Sequence, residues 1–157
     1  MREVVTRSPE ETEAVGEALG RAARGAELIG LVGELGSGKT CLVRGLARGL
    51  GIDAERVHSP SFTIVTGYPG GRLPLTHVDL YRLPGSEEDA ELVREAIHGP
   101  GVAAVEWFDR LPARSTGDAL VVTLRALDGT TRGLRLEASD PRHALLLDAA
   151  AVSASGS

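Results

Sequence analysis

The spacing of apolar positions changes several times along the chain, and each change marks an element. Glu3 to Thr6 reads as a short opening strand. Ser8-Pro9-Glu10-Glu11 is a helix start, in which Ser8 caps, Pro9 suits the first helical position and Glu11 completes a capping box. Val15, Ala18, Leu19 and Ala22 then recur at helical spacing, and Gly25 ends the helix. Leu28-Ile29-Gly30-Leu31-Val32 is a continuous apolar run, the mark of a strand buried on both faces of a parallel sheet. A glycine-rich stretch, Gly33 to Thr40, leads into a second helix with an apolar face of Leu42, Val43, Leu46, Ala47 and Leu50, stopped by Gly51. Gly45 and Gly49 inside it each cost about 1 kcal/mol against Ala, and close packing is one use for them.

Further on, Phe62-Thr63-Ile64-Val65 reads as a strand, Pro69-Gly70-Gly71 as a turn, and Leu75 to Leu80 as the strand that pairs back. Ser86 to Ile97 is an acidic helix after a Pro84-Gly85 break, and Val102-Ala103-Ala104-Val105 is a second buried-type strand ending in Glu106. Two more strands, Ala119–Leu124 and Gly133–Glu137, flank a hairpin signal at Asp128-Gly129. Leu145-Leu146-Leu147 suggests a last helix or docking segment, and Ala151 to Ser157 is expected to be disordered. The organisation expected is one domain over residues 1–140 and an Ala/Ser-rich tail over 141–157, partly disordered.

Composition narrows the function. The 157 residues carry 17 Lys and Arg against 22 Asp and Glu, a net charge of -5. Such a chain lacks the field of a protein that grips nucleic acid alone through its phosphates. The single cysteine, Cys41, excludes an internal disulfide framework and a multi-cysteine metal site. With no signal-peptide pattern after Met1 and no apolar run of membrane length, a cytoplasmic setting is expected. All five aromatic residues fall between Phe62 and Phe108. Of the 17 cationic residues one is lysine, Lys39, and the remaining 16 are arginine.

That lysine lies in Gly33-Glu34-Leu35-Gly36-Ser37-Gly38-Lys39-Thr40, which fits G-x-x-x-x-G-K-[ST] in full. For this composition, chance supplies the pattern on the order of 0.002 times per chain, and the strand before and helix after it tighten the match further. The chemistry accounts for each residue type. Glycines let backbone N–H groups approach phosphate oxygens, and the helix N-terminus aims its positive end at the anion. Lys39 brings a compact charge to the β- and γ-phosphates, and Thr40 offers a hydroxyl to Mg²⁺.

Such a site also needs an acid at a strand end. Glu106 follows its strand at the Walker-B position with Glu in place of Asp, and Asp79 follows Leu75-Thr76-His77-Val78. The alternative for each is a solvated strand-end carboxylate. Ser59-Pro60-Ser61-Phe62-Thr63 occupies the place of a switch segment after the phosphate-loop helix, or else is a turn rich in small polar residues. Trp107 and Phe108 read first as core or interface anchors, and Cys41 as a small buried side chain.

Four blocks together resemble a known family. They are Gly33–Thr40, Ser59-Pro60-Ser61-Phe62-Thr63-Ile64-Val65, His77-Val78-Asp79-Leu80-Tyr81-Arg82-Leu83 and Val105-Glu106-Trp107. In order and spacing they are similar to the bacterial TsaE (YjeE) family, over roughly residues 8 to 138. The resemblance implies an α/β P-loop NTPase-like three-layer fold, whose mixed sheet is parallel at the nucleotide site and antiparallel at its flanks. It implies ATP with Mg²⁺, and an ATPase weak alone and stimulated by TsaB- and TsaD-type partners that modify adenosine 37 of tRNA to its threonylcarbamoyl form. Contact with tRNA would then be indirect.

Residue by residue, the resemblance assigns Asp79 and Glu106 to catalysis and Thr40 and Glu106 to the metal. It assigns Thr12, Glu34, Leu35, Gly36, Ser37, Gly38, Lys39, Thr40 and Arg132 to ATP, with Gly16 beside Thr12. Ser59, Ser61, Thr63, Tyr81, Arg82 and Trp107 fall to the switch or partner surface. Cys41, Ser61 and Val78 stand where the family usually has Thr, Thr and Phe, a helix glycine is missing near Leu92-Val93-Arg94, and Phe108 replaces a common Pro.

Two rivals stay open. A small-molecule P-loop kinase would need a lid, for which Arg110 and Arg114 are the candidates. A non-catalytic module would use nucleotide only to order the switch. A GTPase is disfavoured, because N-K-x-D needs a lysine and Lys39 is already used.

Overall fold

The computed structural model describes residues 1–57, 64–97, 99–113 and 115–155, with side chains as far as Ala150. In chain order the elements are β1 (Arg2–Thr6), α1 (Pro9–Ala22), β2 (Leu28–Val32), α2 (Lys39–Gly49), β3 (Val65–Tyr68), β4 (Leu75–Asp79), α3 (Glu87–Ala96), β5 (Val102–Glu106), β6 (Leu120–Ala126), β7 (Arg132–Glu137) and α4 (Pro141–Ser155). Short 3₁₀ turns lie at Ala54–Arg56 and Phe108–Arg110.

The strands form one sheet in the order β1-β7-β6-β2-β5-β4-β3. β2 is parallel to both β5 and β6, and β4 is parallel to β5. The flanking pairs β1–β7, β6–β7 and β3–β4 are antiparallel. The apolar runs at β2 and β5 therefore sit at the centre, where both faces are covered and every position is buried or nearly so. One core lies between the sheet and α1, α2 and α4, built on Leu19, Leu31, Leu42, Leu46, Leu124 and Leu146. The other lies under α3 and joins Val78, Leu80, Ala90, Val93 and Val105.

Local sequence explains the helix starts. Ser86 and Asp89 form a full capping box on α3. On α1 the Ser8 hydroxyl accepts from the Glu11 N–H at 3.1 Å, but the Glu11 carboxylate reaches the Arg7 N–H rather than that of Ser8, so the expected box is half made. Gly45 has the packing use anticipated for it. A Cβ there would stand 1.9 Å from the Glu13 carbonyl oxygen, and one at Gly16 would stand 2.2 Å from that of Leu42. These small residues let α1 and α2 cross in backbone contact.

Two boundaries differ from expectation. The strand expected over Phe62–Val65 is β3 at Val65–Tyr68, nearer the turn, because the buried anchor of this edge strand is the Tyr68 ring; 62 and 63 lie outside the described residues. The segment set apart as a tail is α4, and Leu146 and Ala150 join the main core. His143 helps hold it there: its Nε2 accepts the Leu28 N–H at 3.0 Å, and its Nδ1 meets the Asp140 carboxylate at 2.8 Å. Helix runs to Ser155, within the stretch expected to be disordered, and 156–157 lie outside the described residues. Among the described residues no helix is long and apolar enough to cross a membrane.

Candidate functional site

The loop between β2 and α2 turns on two glycines in left-handed conformations, Gly36 at φ 78° and Gly38 at φ 106°. Gly38 caps α2 without a side chain, leaving the helix N-terminus uncovered by any cap of its own. Gly36 is exposed and a Cβ on it would meet nothing within 4 Å, so this edge of the loop faces open space. The Ser37 hydroxyl is buried and has no hydrogen-bond partner among the described residues. A glycine loop that leads into an uncapped helix N-terminus is the kind of arrangement that can hold an anion. Glu34, Leu35 and Gly36 form its exposed rim.

Lys39 closes the loop from within. Its Nζ donates to the carbonyl oxygens of Gly33 at 2.6 Å and Glu34 at 2.9 Å, and lies 4.2 Å from the centre of the Trp107 ring. Burial holds the ammonium pKa below the ordinary lysine value, against the opposing pull of Glu106, Asp79, Asp109 and Glu34.

The two expected acids come from adjacent parallel strands. Asp79 and Glu106 are a register pair at the C-terminal ends of β4 and β5. Both oxygens of Glu106 lie 3.4 Å from the Thr40 hydroxyl. Asp79 accepts the Tyr81 N–H at 2.9 Å. Burial pushes its carboxyl above the usual value and Glu106 adds to this, whereas the Tyr81 N–H, His77 and Lys39 pull the other way.

Thr12 and Arg132 converge on the loop from opposite ends of the chain. A Cβ on Gly38 would lie 3.7 Å from the Thr12 methyl and 4.0 Å from the Arg132 side chain. The Arg132 guanidinium donates to the Gly36 carbonyl at 3.1 Å and also to those of Asp128 and Thr131, tying the β6–β7 hairpin to the loop. Gly16 packs against the Leu42 and Leu46 backbone in the α1–α2 contact.

On the other side of Lys39, the Tyr81 and Trp107 rings pack 5.2 Å apart. Arg110 lies over both rings and donates to the carbonyls of Leu80, Tyr81 and Leu83. Arg82 is exposed. Ser59, Ser61 and Thr63, expected at a switch, lie outside the described residues, as does Arg114.

Sequence reasoning missed the roles of two residues, naming Arg110 only as a lid candidate and giving His77 no role. Arg110 fixes the loop after Asp79 through three carbonyls, a pattern without a sequence signal. His77 places its Nε2 2.5 Å from Oε2 of Glu106. Its signal was available: a histidine two residues before Asp79 shares its strand face.

An oxygen-only pair of hydroxyl and carboxylate beside a phosphate cradle suits Mg²⁺. Among the described residues no three His, Cys, Asp or Glu side chains converge to hold a metal alone. A cation here would complete its shell with phosphate oxygens and water.

A mixed sheet with a glycine loop between its central parallel strand and a helix, and acids on the neighbouring strand ends, defines the P-loop class of proteins. Residues 6–134 match the family described as Threonylcarbamoyl adenosine biosynthesis protein TsaE. The chain is 36% identical over 143 residues to the tRNA threonylcarbamoyladenosine biosynthesis protein TsaE of Bacillus subtilis, covering 91% of this chain and 89% of that one. The protein of the same name in Treponema pallidum is 39% identical over 124 residues, 78% of this chain and 90% of its own. The crystal structure of Bacillus subtilis YdiB superposes with a TM-score of 0.75 at 31% identity, over 96% of this chain and 94% of that one. The chain belongs to the TsaE family.

Proposed function

We propose that this protein binds ATP with Mg²⁺ on the Gly33–Thr40 loop, hydrolyses it, and in doing so serves threonylcarbamoyladenosine formation in tRNA through TsaB- and TsaD-type partners. The observation that carries the reading is the meeting of the Thr40 hydroxyl and the Glu106 carboxylate at 3.4 Å beside the loop that Lys39 closes. Family membership supplies the pathway.

Lys39 and the loop N–H groups hold the phosphates, while Thr12 and Arg132 brace the loop from behind. Thr40 and Glu106 would hold the cation, which when bound would supply charge neutralisation at the γ-phosphoryl group. Asp79, its carboxyl raised by burial, orients the attacking water and takes its proton. Tyr81, Trp107 and exposed Arg82 form the surface a partner would read. With a net charge of -5, contact with tRNA runs through the partners, in a cytoplasmic setting.

The kinase rival loses its lid candidate among the described residues, because Arg110 is committed to three carbonyls. The test is ATP turnover by wild type and Lys39→Ala, each with and without TsaB–TsaD. Partner-stimulated turnover that Lys39→Ala abolishes is expected; turnover indifferent to the partners, or to Lys39→Ala, overturns the reading.

A further inference from the structure

β4 runs inside the sheet between β5 and β3, and a strand so placed ordinarily carries apolar side chains. Leu75 and Val78 conform. His77 does not. Its side chain is fully buried, its Nε2 faces Oε2 of Glu106, and its Nδ1 is buried with no hydrogen-bond partner among the described residues. The nitrogen facing the carboxylate carries the hydrogen, since a lone pair there would be repelled. Nδ1 is then an acceptor without a donor, a cost that an apolar side chain of similar size would avoid. Packing gives no reason for an imidazole at this position, and Glu106 does.

Glu106 ends its strand, and a glutamate there has three rotatable bonds to settle. Parallel pairing fixes His77 beside Ala104, two residues before Glu106, so the imidazole approaches the carboxylate from inside the sheet. Thr40 approaches from the loop side, at equal distances from both oxygens. The carboxylate is thus held from behind by one N–H and turned toward the hydroxyl.

We propose that His77 is a positioning residue. Its Nε2–H bond presets the Glu106 carboxylate to hold, with the Thr40 hydroxyl, a divalent cation. The inference rests on the reading of the loop as a nucleotide–Mg²⁺ site and deepens it: affinity for the cation depends on His77, and contact with the nucleotide itself does not. Hydrogen-bond partners behind a ligating group commonly govern metal affinity in this way.

The probe is Mn²⁺ in the presence of ADP, followed by the electron paramagnetic resonance signal of the free ion, with ADP affinity in EDTA measured by calorimetry. The variants are His77→Leu, His77→Asn and His77→Gln, the last because its amide reaches the place of Nε2. Expected is a loss of Mn²⁺ affinity of roughly tenfold or more in His77→Leu and His77→Asn, recovery of most of it in His77→Gln, and unchanged ADP affinity in EDTA throughout. Three variants that all match wild type in Mn²⁺ affinity overturn the role of His77 while leaving the nucleotide reading intact. So does a fall of Mn²⁺ affinity and EDTA-state ADP affinity together in all three, which is a loss of fold. A wild type that binds no ADP overturns the nucleotide reading, and the role of His77 with it.

Discussion

Asp79 and Glu106 stand opposite each other in the β4–β5 ladder, one register pair at the ends of two parallel strands. Their surroundings separate their roles. Glu106 is 3% exposed and held between His77 and the Thr40 hydroxyl, whereas Asp79 is half-buried and among the described residues bonds only a backbone N–H, with its carboxyl raised by burial. Asp79→Asn is expected to lower ATP turnover about 100-fold or more while affinity for Mg·ADP holds. A base works deprotonated, so wild-type turnover falls as pH drops through a value above the ordinary carboxylate range, and the variant lacks that limb. Full modification activity in a reconstituted system with Asp79→Asn would instead favour a module that needs nucleotide only to be bound.

The α1–α2 contact admits no side chain at Gly45, where a Cβ would lie 1.9 Å from the Glu13 carbonyl. Gly45→Ala gains about 1 kcal/mol of helix preference and loses more to the forced separation of the helices. A fall in Tm of about 5 °C is expected. Gly129→Ala, where a Cβ meets nothing within 4 Å, is the control and should leave Tm within about 1 °C. Equal melting of the two variants would sink the close-packing account.

The sequence made the central architecture legible because the signals there are local. A buried apolar run, a glycine loop and capped helices each depend on neighbouring residues, and β2, α2 and β5 fall where the pattern puts them. The loop chemistry of Lys39 and Thr40 was legible for the same reason. What escaped depends on residues far apart in the chain. A shared strand face puts His77 on the side of Asp79, but nothing local tells that it will touch Glu106, that Arg110 will hold the carbonyls after Asp79, or that α4 will dock on β2 through His143. β3 was misplaced because Phe62-Thr63-Ile64-Val65 has the stronger strand composition, while the edge strand is anchored by a single buried ring, Tyr68.

Cys41 lies one residue past the phosphate loop, where a reactive thiol would be conspicuous. Its Sγ instead donates to the Pro9 carbonyl, and burial, with Glu13 adding to it, pushes the thiol up to about 11. At pH 8 about one molecule in a thousand is thiolate. Alkylation of the folded protein by iodoacetamide is expected to be about 100-fold slower than in denaturing urea. Its rate should still be climbing at pH 10, so a plateau near pH 8.5 would contradict the assignment.

Asp140 and His143 bind α4 to the sheet. The Leu28 N–H needs Nε2 as an acceptor, so Nδ1 carries the hydrogen and donates to Asp140. Burial alone would raise the Asp140 carboxyl, but the side-chain and backbone bonds of His143 outweigh it and the value lies below the ordinary one. A depressed carboxyl contributes stability above its unfolded value, near 3.9, and loses it as pH falls through the lower folded value. Urea midpoints of wild type and Asp140→Ala should therefore differ most above about pH 4 and converge below it. His143→Leu leaves the Leu28 N–H buried without a partner, at a cost of about 1–3 kcal/mol at neutral pH. A gap between wild type and Asp140→Ala that stays constant down to about pH 2.5 would mean that the carboxylate charge does not support the α4 contact.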